Sequence, residues 1–194
     1  MRTRRLLVLV ALSSVALATT GHAAAKPQIV DAKGDAVGGV AGTDIQSVLF
    51  QVKRTGKKGI LTITLTLDAP ADRTPGVLYR VLGDQNRCGS FQFSSAATLA
   101  LVEQNQVLMT CGSEADSTTG SESTIINVTP ETVGNKLVWT VGLREMPDEM
   151  QSGTMSNLSA FVTYADPVTG ILNATDFVPE AAIDSASGTT AFKY

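Results

Sequence analysis

The chain has 194 residues, with 18 acidic side chains against 15 basic ones and a formal net charge of −3. A mildly acidic surface lacks the clustered Lys and Arg that nucleic acid and anionic membranes need, so neither is an expected partner. The single histidine is His22, and it lies in a segment that reads as a leader, so histidine-based triads, Cys-His dyads and His-bearing zinc sites are set aside for the remainder.

That leader opens with Arg2, Arg4 and Arg5 and continues as an apolar run from Leu6 to Ala18. The run is short of the ~20 residues that span a bilayer as a helix. It fits the hydrophobic region of a secretory signal, with cleavage expected after Ala25 at Ala23-Ala24-Ala25 or earlier, after Ala18. An uncleaved N-terminal anchor is the alternative, and Arg4-Arg5 resembles a twin-arginine signal. Residues 26–194 then form one domain, exported and without a transmembrane segment.

The first strand is expected over Ile45–Val52, with Val48, Phe50 and Val52 on one face. Gly59–Leu67 is the clearest, because Leu61, Ile63, Leu65 and Leu67 alternate with three threonines, the period of a half-buried strand. Residues 54–59 join the two as a hairpin loop. A breaker cluster over Asp68–Gly76 precedes strands at Val77–Leu82 and Ser90–Ser94. Thr98–Glu103 and Val107–Cys111 are expected to form a hairpin around Gln104-Asn105-Gln106. Gly112–Ser123 reads as a loop. Thr124–Val128 is expected to pair with Leu137–Leu143, in which Leu137, Trp139, Val141 and Leu143 alternate. Leu158–Tyr164 and Ile171–Phe177 complete about ten short strands. Arg144–Met150 has room for a helical turn that Pro147 interrupts. The pattern predicts an all-β antiparallel sandwich, jelly-roll or immunoglobulin-like, with a barrel as the alternative.

Cys88 and Cys111 are the only cysteines. Export to an oxidising compartment predicts a disulfide between them, the alternative being two separate buried thiols. Three carboxylates, Asp31, Asp35 and Asp44, cluster among glycines ahead of the first long strand. Calcium takes six to eight oxygens from carboxylates and backbone carbonyls, and glycines let carbonyls converge. The segment therefore reads either as a calcium loop or as a solvated loop with Asp44 starting the strand. Asp148 with Glu149, Glu114 with Asp116, and Asp166 with Asp176 are the acid pairs that a histidine-free glycosidase would draw on. Lys33, Lys53, Lys57, Lys58 and Lys136 are the lysines that a Ser-Lys dyad would draw on, and all read as solvated.

The run Asp31-x-x-Gly34-Asp35, a glycine-rich gap and Asp44-Ile45 leading into two alternating strands resembles the start of a group of secreted sandwich domains. The group comprises DOMON-like domains, family-nine carbohydrate-binding modules and the C-terminal domains of glucodextranase-type enzymes. The likeness covers about 40 residues and implies a sandwich fold, with a calcium site on Asp31, Asp35 and Asp44. Sugar-binding members present aromatic platforms, whereas the single tryptophan here, Trp139, is in phase with core residues. The expected function is a secreted, non-catalytic module that binds an unidentified ligand or cell-surface partner, carbohydrate among the candidates. A carboxylate-dependent polysaccharide hydrolase and a structural cell-envelope protein are the alternatives.

Overall fold

The computed structural model describes residues 25–38, 41–55, 58–96, 105–111, 122–166, 168–169, 171–178 and 191–194. The leader and the expected strand over Thr98–Glu103 lie outside the described residues. Among those described, twelve strands run in chain order: β1 Ile29–Val30, β2 Ile45–Thr55, β3 Lys58–Leu67, β4 Val77–Gln85, β5 Gly89–Ala96, β6 Gln106–Cys111, β7 Glu122–Asn127, β8 Glu131–Val133, β9 Lys136–Gly142, β10 Thr154–Ala165, β11 Leu172–Val178 and β12 Phe192–Lys193. They form two antiparallel sheets. The smaller has the order β1-β2-β3-β9-β8, and the larger β11-β10-β4-β5-β6-β7, with β12 pairing to β10. The all-β sandwich read from the strand pattern is therefore the observed architecture.

Alternation decides which side of each strand is buried. In β3, Leu61, Ile63, Leu65 and Leu67 are buried and the threonines between them are not. Leu137, Trp139 and Val141 of β9 continue the same inner layer. Across from them lie Tyr79 and Val81 of β4, Phe91 and Phe93 of β5, and Val107 and Met109 of β6. Trp139 is fully buried, and its indole N–H donates to the carbonyl of Ser94, 3.2 Å away in the opposite sheet. An indole is buried at low cost when its one donor finds an acceptor, so this residue belongs to the core.

One expected pairing is corrected. The segment Thr124–Val128 does not pair with Leu137–Leu143. Strand β7 pairs with β6 in the larger sheet, while β9 pairs with β3 and β8 in the smaller one. The chain changes sheets at Val128-Thr129-Pro130, where proline removes a ladder donor. The hairpin partner of β9 is β8, which lies between the two segments expected to pair, through Gly134-Asn135 with Gly134 at φ +61. Two 3₁₀ turns, Leu143–Glu145 and Asp148–Gln151, replace the single helical turn and flank Pro147.

Bulges re-aim three strand segments. Between β10 and β11, Val162 pairs with Asp176 and Thr163 with Ala174, which leaves Thr175 as the extra residue. Between β4 and β10, Asp84 faces Ser156 and Leu82 faces Ser159, so β10 spends one more residue than its partner around Asn157 and Leu158. Between β2 and β3, Ile45 faces Leu67 and Ser47 faces Thr66, leaving out Gln46. Such insertions bend the strand and turn side chains toward a different side.

Candidate functional site

The loop between β1 and β2 folds back on the edge of the larger sheet. Its positive-φ residue Gly34 (φ +86) donates its N–H to Oδ2 of Asp44 at 2.6 Å. The other Asp44 oxygen accepts from the side-chain amide of Gln46 at 3.1 Å. Val37 N–H donates to the carbonyl of Thr175 at 2.6 Å, and Asp31 N–H to the carbonyl of Gln46 at 3.0 Å. Behind the loop, the buried Tyr79 hydroxyl donates to the carbonyl of Gly42 at 2.6 Å and lies 3.1 Å from that of Asp72. Burial is the main reason its phenol is held well above the usual range.

This folding brings three carboxylates together. One oxygen from each of Asp31, Asp35 and Asp176 lies within 4.8 Å of the others. Asp31 and Asp35 come from the acidic-glycine loop. Asp176 comes from β11, 141 residues beyond Asp35, and is 8% exposed. The bulge at Thr175 puts Asp176 on the same side as buried Val178. Its Oδ2 accepts from Ile45 N–H at 2.5 Å and its Oδ1 from Phe177 N–H at 2.7 Å. Burial raises the Asp176 pKa above the ordinary carboxylate value. The two backbone hydrogen bonds oppose that shift, and the charges of Asp35 and Asp44 add to it.

Asp44 is placed beside the three rather than among them. It is 2% exposed, and its two oxygens are engaged in shaping the loop. Lys33, in the middle of the loop, pairs with Asp68 at 2.5 Å. In the sequence the three loop acids stand as one group, and Asp176 stands only as half of a pair with Asp166. The signal available for it was an acid at a core-facing strand position, two residues before a buried valine.

Among the described residues, the other acid pairs do not form comparable groups. Asp148 and Glu149 are exposed on a 3₁₀ turn, where Asp148 accepts from the Gln151 amide at 2.7 Å. Asp166 accepts the backbone N–H groups of Val168 and Thr169 at 2.8 and 2.9 Å, and those two bonds, that of Thr169 first, lower its pKa. Glu114 and Asp116 lie outside the described residues. Cys88 and Cys111 lie at disulfide distance, with Cα atoms 4.3 Å apart where β5 meets β6. Among the described residues, no helix is long and apolar enough to cross a membrane.

A groove of about 330 Å³ opens on the outer face of the larger sheet and crosses β10, β4, β5 and β6. No family model matches the chain, no curated protein matches it, and no solved structure matches it.

Proposed function

We propose that this chain is an exported, non-catalytic β-sandwich binding module whose acidic cluster holds a calcium ion. The observation that carries the metal reading is the convergence of Asp31, Asp35 and Asp176. Calcium–oxygen bonds of 2.3–2.6 Å allow two ligand oxygens to stand up to about 5 Å apart across the ion. Magnesium, at 2.0–2.1 Å, needs a tighter and more regular cage. The three carboxylates are the hard oxygen donors that calcium prefers, and backbone carbonyls of the loop and water would complete its shell. Without a cation the three charges repel one another, and Asp176 carries a desolvation cost as well.

Export is supported by the leader pattern and by a cysteine pair suited to an oxidising compartment. A non-catalytic role is supported by the lack of histidine after the leader. The likeness of the opening segment to secreted sandwich modules points the same way.

The deciding experiment is a thermal melt of metal-stripped protein. Millimolar calcium should raise the Tm by several degrees and chelator should reverse it, because a ligand at 100 times its Kd adds about 2.7 kcal/mol. Magnesium should do less. Asp35→Asn, at an exposed position, should abolish the calcium response and, by relieving the repulsion, raise the metal-free melt slightly. Identical curves with calcium and with chelator would reduce the cluster to hydrogen-bonded acids. Intact-mass analysis of exported protein should find Lys26 at the N-terminus, and retention of Met1 would refute the leader.

A further inference from the structure

The groove on the outer face of the larger sheet has a chemistry of its own and shares no residue with the acidic cluster. Its floor includes Leu82 and Leu108, both half-buried and both on the face opposite the core. The β4–β10 bulge raises Asn157 at one side and holds it at φ +49, a left-handed conformation unusual for a residue other than glycine. Asparagine enters this region more readily than other residues that carry a side chain, and the bulge sets the conformation here. Asn157 Nδ2 donates to Oδ2 of Asp84 at 2.7 Å. That bond turns the amide so that its oxygen remains as an acceptor. The corner made by Asp84 and Asn157 therefore presents acceptors, with the hydroxyl of Ser159 beside it. Asp84 is the one charged residue among the described residues that line the groove.

We propose that this groove binds a primary alkylammonium group, with the cation at Asp84 and Asn157 and its methylene stem along Leu82 and Leu108. An ammonium has three donors and no acceptor, which complements an acceptor-rich corner. An aliphatic stem suits a leucine floor that offers no aromatic platform. Anionic ligands are disfavoured by Asp84. The same chemistry is found in free alkyl diamines and in lysine side chains of other proteins. This assigns a ligand class to the binding module proposed above, and it does not depend on calcium.

The test is an NMR titration of the ¹⁵N-labelled protein with pentane-1,5-diamine, Nα-acetyl-lysine amide, 1-pentanol and maltose. Both amines should give saturable shifts confined to Gln92, Leu108, Asn157 and their neighbours. The pentanol and maltose should not. Asp84→Asn retains an acceptor for Asn157 at an exposed position and should weaken amine binding about tenfold, the loss of one charge-assisted hydrogen bond. Asn157→Gly tolerates the backbone conformation and should weaken it also. Tighter binding of the diamine would point to a free amine, and tighter binding of the lysine amide to a protein side chain. No saturable shift with either amine, undiminished binding by Asp84→Asn, or a response to maltose alone would overturn the proposal. The calcium melts are read separately, so failure here and failure of the metal site are distinguishable.

Discussion

Asp176 concentrates the most consequence in one side chain. Its pKa is raised in the folded protein, so the native state holds its proton to higher pH than the unfolded chain does. Stability from this group is fully present below the ordinary carboxylate pKa and is lost as pH rises through the folded value. In chelator, denaturant unfolding should therefore show stability falling from acidic toward neutral pH. Calcium should remove that slope and bind more weakly in acid, since the ligand must be deprotonated. Asp176→Asn should flatten the slope without calcium; an unchanged slope would assign it to other groups. Trp139 tests a different kind of burial. Trp139→Ala should cost about 3–5 kcal/mol by denaturant titration. Trp139→Phe keeps most of the contact area but leaves the Ser94 carbonyl without its indole donor, a loss of about 1 kcal/mol. Gly83 faces the core where an added Cβ would stand 2.7 Å from Phe91 and 2.8 Å from Leu158. A valine there should destabilise by about 1–3 kcal/mol through overpacking.

Among the elements, β11 shows how one inserted residue builds a site. Deleting Thr175 would regularise the ladder with β10 and shift either Asp176 or the residues before it by one position. A one-residue slip exchanges the two faces of a strand. The deletion should abolish the calcium-dependent rise in Tm, and a retained response would show that the bulge is not what aims Asp176. The same physics explains which elements were legible in the sequence. Strands β3 and β9 alternate without interruption, as does β2 from Val48 to Val52, and a period of two needs no knowledge of partners. The partner of β9 was not legible. Pairing is a non-local choice, and Pro130 moves the chain between sheets after β7. Strand β10 begins at Thr154, four residues earlier than its pattern indicates, because Asn157 and Leu158 belong to a bulge that breaks alternation. Asp31 and Asp35 stood out because they sit together among glycines. Asp176 did not, since its role depends on a bulge and on a loop far away in the chain.

At the scale of the whole molecule, two cross-connections act over very different spans. Cys88 and Cys111 are 23 residues apart in sequence. Closing a loop of that size removes unfolded-state entropy worth about 3 kcal/mol. Reduction should lower the Tm accordingly, and a Cys88→Ala/Cys111→Ala protein should melt near the reduced one. Two titratable thiols in unreduced, denatured protein would contradict the pairing. The meeting of the 31–35 loop with β11 spans almost the entire described chain. An ion held there would join the first and last long segments as a reversible tie, with a far larger enclosed loop than the cysteines provide. Such a tie has a direction in time. Were the chain delivered N-terminus first and unfolded, the tie would have no third carboxylate until residue 176 emerged, and a partly delivered chain would have nothing to close. Metal capture would then mark the arrival of the last long strand.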